Sequence, residues 1–250
     1  MMKIEKNSEI AEIFHNYLDE VNYEGLLSVA NFSEVYNSVM DEQKQYLESI
    51  CGVKFNNYVD FGSIISLGIA YHPETIESIN IKEESGYNKE LWNQYGYEYS
   101  HLNKMLKEIS EKIAKLYNGI AIPPTTETPS KEIRNVKDFF PNTLSHRAVA
   151  ENAGLGWRGK NELLITYEYG PAIRFVSILV SLKFIEGKRI DSQCGECNAC
   201  LEICPILREK SNLKDYRENC RLYLNSLGLV HDVCGKCIKA CFKEIISRKR

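Results

Sequence analysis

The sequence lacks an apolar run long enough to cross a membrane. Its longest apolar stretch, residues 172–182, is interrupted by Arg174 and falls short of the roughly 18 residues that a spanning helix needs. The opening MMKIEKNSEIAEIF has no apolar core of the kind that a secretory signal carries. With 44% hydrophobic and 26% charged residues among 250, the composition also excludes collagen, coiled coil and intrinsic disorder. We therefore expect a cytoplasmic globular protein.

Cysteine is the residue type whose distribution is unusual. Cys51 stands alone, whereas the other eight of the nine cysteines lie between Cys194 and Cys241. Because cytoplasmic thiols stay reduced, this concentration indicates metal ligands rather than disulfides. Residues 186–250 carry 13 Lys and Arg against 9 Asp and Glu, whereas residues 1–185 carry 18 against 25. Positive charge thus lies where anionic metal–thiolate groups would be, and the acidic remainder argues against a nucleic-acid footprint.

The spacing of the cysteines identifies the kind of metal group. Residues 194–205 read CGECNACLEICP, the C-x2-C-x2-C-x3-C-P run in which three thiolates hold one [4Fe–4S] cluster and the fourth holds another. A second run begins at Cys234, and Cys220 completes the count. The spacing predicts two ligand sets: Cys194, Cys197, Cys200 and Cys241 in the first, and Cys204, Cys220, Cys234 and Cys237 in the second. Two zinc sites are the alternative, although zinc modules favour paired C-x2-C knuckles. Cys51 is predicted to pack as a small apolar residue.

Hydrophobic periodicity predicts an α+β domain over residues 1–185, followed by a small cluster domain over residues 186–250. Helices are predicted at 8–21, beginning after Ser8, at 97–117, and at 145–153, capped by Ser145 and ended by Gly154. A buried strand is predicted at 62–71, a loop at 122–130, and a β-hairpin from 162–168 and 172–182.

A glycine-rich loop, GLGWRG at residues 154–159, matches G-x-G-x-x-G but lies between a predicted helix and a predicted strand. A dinucleotide site needs strand, loop and helix in that order, with an acidic residue about 20 positions further on, and the sequence has neither. Two interpretations remain open. The glycines let the backbone approach a large flat ligand, or they form a tight turn around a core Trp157.

The segment SHRAVAENAGLGWRGKNELLIT, residues 145–166, together with the cysteine run after it, resembles the epoxyqueuosine reductase family. That family comprises cobalamin-dependent enzymes with two [4Fe–4S] clusters, related to the reductive dehalogenases. The resemblance extends over roughly residues 55–245 and includes GSIISLGIAYHP, NCRLYLNSLG and CGKCIKACF. Family members that act on tRNA carry a helical-repeat domain after the clusters, so we expect a short form without it.

The resemblance implies a nitroreductase-like cobalamin domain joined to a ferredoxin-like domain. It also implies which residues would line the corrinoid: Ala153, Gly154, Leu155, Gly156, Trp157, Gly159, Lys160, Asn161, Gly170, Pro171 and Arg174. Electrons would arrive from ferredoxin or flavodoxin, cross both clusters and reduce the cobalt.

Further polar residues have competing roles. The resemblance implies an Asp as proton donor, and Asp138 is the candidate, although an Asp at such a position more often caps a turn. His146 is predicted to be solvated in a first helical turn, and His72 to be structural. Tyr97 and Tyr99 are expected to be half-buried, with a place in a ligand pocket as the alternative.

Taken together, these features predict an iron–sulfur, cobalamin-dependent reductase whose substrate is open and for which tRNA is doubtful. The alternative is a ferredoxin-type protein that passes electrons to a corrinoid protein or another partner without its own turnover.

Overall fold

The computed structural model describes residues 2–80, 88–125 and 134–248. Contacts divide the chain into two compact units that alternate along the sequence. Unit 1 consists of Met1–Ile69, Asn103–Trp157 and Phe175–Asp191, and unit 2 consists of Ala70–Leu102, Arg158–Arg174 and Ser192–Arg250. The domain boundary predicted at 185/186 stays a prediction. In the described ranges no helix is both long enough and apolar enough to cross a membrane.

The fold mixes helices and strands, as the α+β prediction states. The strands are β1 Gly25–Asn31, β2 Ser63–Ala70, β3 Ile120–Ile122, β4 Trp157–Arg158, β5 Leu164–Ile165 and β6 Ile173–Val180. The helices are α1 Met2–Val21, α2 Phe32–Ser38, α3 Asp41–Cys51, α4 Phe55–Phe61, α5 Pro73–Ser78, α6 Lys89–Leu116, α7 His146–Asn152, α8 Ala199–Ile203, α9 Pro205–Arg208, α10 Tyr216–Leu227 and α11 Lys236–Arg248. Short 3-10 turns occur at Gly52–Lys54, Val136–Asn142 and Val230–Asp232.

A four-stranded sheet with the order β1-β2-β6-β3 organises unit 1. β1 pairs antiparallel with β2 from Gly25↔Ile69 to Asn31↔Ser63, and β3 pairs antiparallel with β6. Every residue of β2 is buried, as its run of Ile and Leu predicts for an inner strand. The buried strand predicted at 62–71 is therefore confirmed.

The predicted β-hairpin of 162–168 with 172–182 is wrong. The turn exists, because Thr166 and Gly170 exchange backbone hydrogen bonds of 2.9 and 3.1 Å. The strand after it, β6, lies between β2 and β3 in the sheet, so both of its edges are taken. Residues 164–165 pair instead with β4, in a separate two-stranded sheet. A strand has only two edges, and sequence alternation does not show which partners take them.

The helix predictions hold to different degrees. α7 is capped by Ser145, whose Oγ accepts from the Ala148 N–H at 3.3 Å, and Gly154 follows it with φ +73°, so both predicted boundary signals are confirmed. α6 begins eight residues before the predicted start at 97, and Ser8 lies inside α1 instead of capping it. Of the predicted loop at 122–130, Ile122 ends β3, and residues 126–130 lie outside the described residues.

The core of unit 1 also holds Cys51. It is buried in an apolar cluster with Phe32, Leu47, Tyr58 and Ile64. Burial raises the pKa of its thiol to about 12, so the group stays protonated and unreactive at neutral pH. Its predicted role as a small apolar residue is confirmed.

Candidate metal centre

All eight clustered cysteines lie in unit 2, on four short elements and the turns between them. Cys194 and Cys197 precede α8, which holds Cys200, and Cys204 is the N-cap residue of α9. Cys220 lies in α10, Cys234 precedes α11, and α11 holds Cys237 and Cys241. α8 packs against α11, so a helix from each cysteine run meets the other.

Each cysteine run begins with a turn at a glycine. A glycine follows the first cysteine of each run, and both glycines have positive φ, +50° at Gly195 and +73° at Gly235. In the first run this turn closes with a 3.0 Å hydrogen bond from the Cys197 N–H to the Cys194 carbonyl. The left-handed residue lets the chain reverse within three positions, which directs successive cysteines to one side.

The cysteines interact in the two groups that the spacing predicts. The Cys241 thiol interacts electrostatically with Cys200, Cys194 and Cys197, which together are the first cysteine set. The Cys237 thiol interacts with Cys234, Cys204 and Cys220, which together are the second cysteine set. The Cys237 thiol also interacts with Cys200, so the two sets are neighbours. The juxtaposition matches the predicted crossing, and the role of these residues as cluster ligands remains a prediction.

Crowding and burial disfavour thiolates at these positions. Burial, and then repulsion from neighbouring cysteines, raise the pKa of Cys241 to about 12 and of Cys220 to about 11. Ligand thiolates of this kind need cationic metal to balance their charge. In the described part of the chain, no three His, Cys, Asp or Glu side chains are arranged so as to hold a metal ion. In a [4Fe–4S] cluster, by contrast, each cysteine binds a different iron atom.

Two buried lysines of α11 accompany the cysteines, and the cysteine pattern does not predict their burial. Lys236 donates to the Tyr223 hydroxyl at 2.8 Å. Lys239 donates to the Ile79 carbonyl at 2.8 Å and lies 3.4 Å from the Glu77 carboxylate. Burial lowers the pKa of Lys239, and Glu77 partly offsets that effect. The sequence does show two lysines inside a cysteine run. Because lysine side chains are usually exposed, the sequence pattern alone does not predict that these two are buried.

The glycines of the predicted corrinoid loop are explained by packing. A Cβ on Gly154 would lie 2.2 Å from the Lys188 carbonyl oxygen, and one on Gly159 would lie 2.7 Å from the Ile165 side chain. Gly170, with φ +54°, faces Ile245 of α11. Trp157 is buried in the core. These contacts fit the second interpretation of the loop, a tight turn around a core tryptophan.

The other predicted loop residues of unit 1 are also engaged by protein. The Ala153 carbonyl accepts from the Ser28 hydroxyl at 2.6 Å, and the Leu155 N–H donates to the Ala150 carbonyl at 3.0 Å. Ala153 and Gly156 are buried. In unit 2, Pro171 is likewise buried at the entry to β6.

Two loop residues in unit 2 retain features of a binding site. Lys160 donates to the Gly195 carbonyl and to the Asn198 side chain, both at 2.8 Å, and so joins the loop to the first cysteine run. Asn161 is 5% exposed, and its Oδ1 accepts from the Leu163 N–H at 3.1 Å. Its Nδ2 is buried without a hydrogen-bond partner in the described chain. A buried donor of this kind fits a ligand acceptor.

The predicted residue Arg174 lies in a cluster of tyrosines in unit 2. Its guanidinium is 4.4 Å from the ring centroid of Tyr99, and Tyr71 and Tyr95 pack together with ring centroids 5.1 Å apart. Burial alone would lower the pKa of Arg174, but the nearby tyrosine hydroxyls raise it, so the cation is kept. Tyr99 is half-buried, whereas Tyr97 is exposed, so only Tyr99 matches its expected burial.

The histidines differ from their predictions to different extents. His146 is buried, with Nδ1 2.9 Å from the Ser177 hydroxyl and Nε2 3.0 Å from the Pro123 carbonyl, so its predicted solvation is wrong. The physical reason is that the first turn of α7 faces β6 rather than solvent. His72 is structural as predicted, because its N–H and Nδ1 both contact the Glu98 carboxylate, at 3.1 and 2.7 Å.

Asp138, the predicted proton donor, lies in the 3-10 turn Val136–Asn142 in unit 1. Its carboxylate accepts from the N–H groups of Arg134 and Asn135 at 2.7 and 2.9 Å, in a reciprocal capping box with Asn135. Hydrogen bonds from the Asn135 and Arg134 backbones lower the pKa of Asp138. The geometry favours an ionised cap over an acid that holds a proton, and the donor role remains a prediction.

No protein-family model matches the chain. The epoxyqueuosine reductase of Lactococcus garvieae (strain Lg2) is 32% identical over 167 residues, which is 66% of this chain and 43% of that protein. A crystal structure of selenomethionine-labeled epoxyqueuosine reductase matches 94% of this chain and 65% of its own, with TM-score 0.50 and 16% identity, a likeness of fold. A structure of epoxyqueuosine reductase with an epoxyqueuosine-modified tRNA-Tyr stem loop reaches TM-score 0.44 over 80% of this chain. The chain therefore spans less than half of the curated relative.

Proposed function

We propose that this chain, a homologue of the epoxyqueuosine reductases, is a reductase that carries two [4Fe–4S] clusters and passes their electrons to a bound corrinoid. The observation that carries the proposal is the grouping of eight cysteines into two neighbouring sets of four. The relatives are oxidoreductases by name. Ferredoxin or flavodoxin is the proposed electron donor.

The donor sets fit iron–sulfur clusters. Each set offers four thiols, two from turns or helix caps and two from helices, in a unit whose last segment is positively charged. Such a cluster with four thiolates is anionic, and nearby cations stabilise it. The link from Lys160 to Gly195 and Asn198 supports electron transfer from the first cysteine set toward the loop.

The residues predicted to line a corrinoid fit that group less fully than the cysteines fit iron–sulfur clusters. Asn161 supplies a buried donor and Lys160 a position beside the first cysteine run, whereas Gly154, Gly159 and Gly170 are occupied by protein contacts. When bound, a corrinoid supplies a low-valent metal centre that reacts with an electrophilic substrate. The protein residues would hold it and exclude water, with the half-buried Arg174 cation close to Tyr99.

The name of the relatives supports epoxyqueuosine as the substrate. The reaction would then be the reduction of an epoxide. Residues 1–185 contain 25 Asp and Glu against 18 Lys and Arg. This net negative charge repels phosphate groups, which supports a substrate without the phosphate backbone of tRNA. We propose the free nucleoside or a related small epoxide. Turnover of an epoxyqueuosine-modified tRNA stem loop at a higher rate than that of the nucleoside would overturn this choice of substrate.

Anaerobic reconstitution tests the proposal. We expect about eight iron and eight sulfide per chain, as two [4Fe–4S] clusters require, and a change in the cobalamin spectrum when micromolar corrinoid is added. Two zinc ions with no sulfide would contradict the iron–sulfur assignment. Full iron loading with an unchanged cobalamin spectrum would remove the corrinoid and leave the alternative, an electron-transfer protein without turnover.

The capping geometry of Asp138 makes its predicted role as proton donor directly testable. In Asp138→Asn we expect a lower thermal midpoint and retained turnover. The neutral amide oxygen accepts more weakly from the two backbone N–H groups, and the amide NH2 would face the Asn135 side-chain NH2 that now donates to Oδ1. Melting and steady-state rates are measured on the same loaded sample. Lost turnover with an unchanged melting temperature would instead establish the carboxyl as the proton donor.

A further inference from the structure

A fully buried lysine lies inside the second cysteine run. Lys236 stands between Cys234 and Cys237 at the start of α11, and only 2% of it is exposed. Placing an ammonium group away from water is costly unless the charge is compensated. Side chains from two other helices of unit 2 surround this one, so its position is fixed.

The surroundings of Lys236 join it to the cysteine run. Its Nζ donates to the Tyr223 hydroxyl at 2.8 Å and lies 5.5 Å from the ring centroids of both Trp92 and Tyr223. The Trp92 indole N–H in turn donates to the Cys234 carbonyl at 2.7 Å. Aromatic faces stabilise a cation and also restrict its movement.

Lys236 lies beside the second cysteine set. It is two positions after Cys234 and directly before Cys237, and its backbone N–H donates a hydrogen bond to the Cys234 sulfur. A cluster on these thiolates gains a negative charge when it is reduced, and a fixed cation stabilises that added charge. The potential of such clusters depends on net charge and on hydrogen bonds to sulfur.

Resting on the proposed iron–sulfur function, we propose that Lys236 is a positioning residue that raises the reduction potential of the cluster on the second cysteine set. The two clusters are of the same type, and their reduction potentials then differ because only one of them has the Lys236 cation beside it. Electrons that enter the pair of clusters then reside mainly on the cluster of the second cysteine set before they reduce an acceptor.

Redox titration followed by electron paramagnetic resonance tests this on the reconstituted full chain. In Lys236→Gln, which retains a polar partner for Tyr223, we expect the midpoint of the second-set cluster to fall. The equilibrium constant for its reduction should drop at least tenfold, about 59 mV for one electron, with the first-set midpoint unchanged. Lys236→Arg keeps the charge and should restore the wild-type midpoint.

Lys243→Gln is the matched control. It makes the same change of charge on the same helix, but this side chain is exposed and pairs with Glu77 at 3.3 Å, so solvent screens it and neither midpoint should move. Should Lys236→Gln fail to hold the second cluster, Lys236→Met provides a second neutral variant. An unchanged midpoint in a loaded neutral variant, or an equal fall in Lys236→Arg, would overturn the inference. Wild-type protein without iron and sulfide would instead overturn the proposed function.

Discussion

Replacing Cys204 and Cys237 together by alanine is expected to leave about four iron and four sulfide per chain. The two residues belong to the second cysteine set, so both changes damage one [4Fe–4S] cluster and spare the other. They are 33 positions apart in different cysteine runs, and the Cys237 thiol interacts electrostatically with Cys204. If each run instead held its own cluster, the same double variant would damage both and lose nearly all iron.

Cys200→Ala combined with Cys204→Ala is the reciprocal double variant. These neighbours share one run but belong to different sets, so the pair should lose both clusters, whereas run-by-run ligation predicts that half of the iron remains. Cys51→Ala is the control for the loss of a thiol. Because Cys51 lies in the apolar core of unit 1, this substitution should leave the iron content unchanged. Iron and sulfide analysis with paramagnetic resonance of the reduced samples distinguishes the two schemes. Four irons in the reciprocal variant would contradict the crossing.

Gly154→Ala is expected to have the largest effect on stability. The residue has φ +73°, and an added Cβ would lie 2.2 Å from the Lys188 carbonyl oxygen. Left-handed backbone costs a non-glycine residue about 1–3 kcal/mol, and forcing atoms into a filled space costs about 1–3 kcal/mol more. We expect the free energy of unfolding to fall by about 3 kcal/mol, or roughly 6–12 °C in thermal midpoint for a chain of this size.

Gly228→Ala isolates the backbone component. Gly228 ends α10 in the left-handed conformation, and the nearest atom to an added Cβ is the flexible end of Lys89 at 3.4 Å. We expect a loss of about 1 kcal/mol there. Thermal unfolding of loaded protein at one scan rate measures both variants. A Gly154→Ala protein of normal stability that no longer changes the cobalamin spectrum would show that this glycine makes room for a ligand rather than for Lys188.

The sequence predicted features that depend on neighbouring residues and on fixed chemistry. The all-buried strand β2, the Ser145 cap with its following Gly154, and the grouping of the eight cysteines follow from hydrophobicity, capping and ligand spacing. A few adjacent positions determine the strand and the cap, and the cysteine grouping follows from ligand spacings that are typical of paired clusters, so no knowledge of the rest of the fold is required.

Features that depend on distant partners were missed. His146 is buried because its ring hydrogen-bonds the Ser177 hydroxyl and donates to the Pro123 carbonyl, 31 and 23 positions away. Lys236 is buried because Trp92 and Tyr223 come from other helices. The hairpin prediction was wrong because β6 pairs with strands that are distant in the chain. Tertiary contacts override local preference at these positions.

The inner position of β6 has a consequence for how the protein is made. β3 pairs with β6, which ends at Val180, and β2 lies on the other side of the same strand. During synthesis the sheet of unit 1 therefore stays incomplete until about three quarters of the 250 residues have left the ribosome. Such late pairing of distant segments slows folding and leaves apolar strands such as β2 exposed meanwhile. Nascent chains that stop before residue 173 should accordingly depend on chaperones to remain free of aggregates.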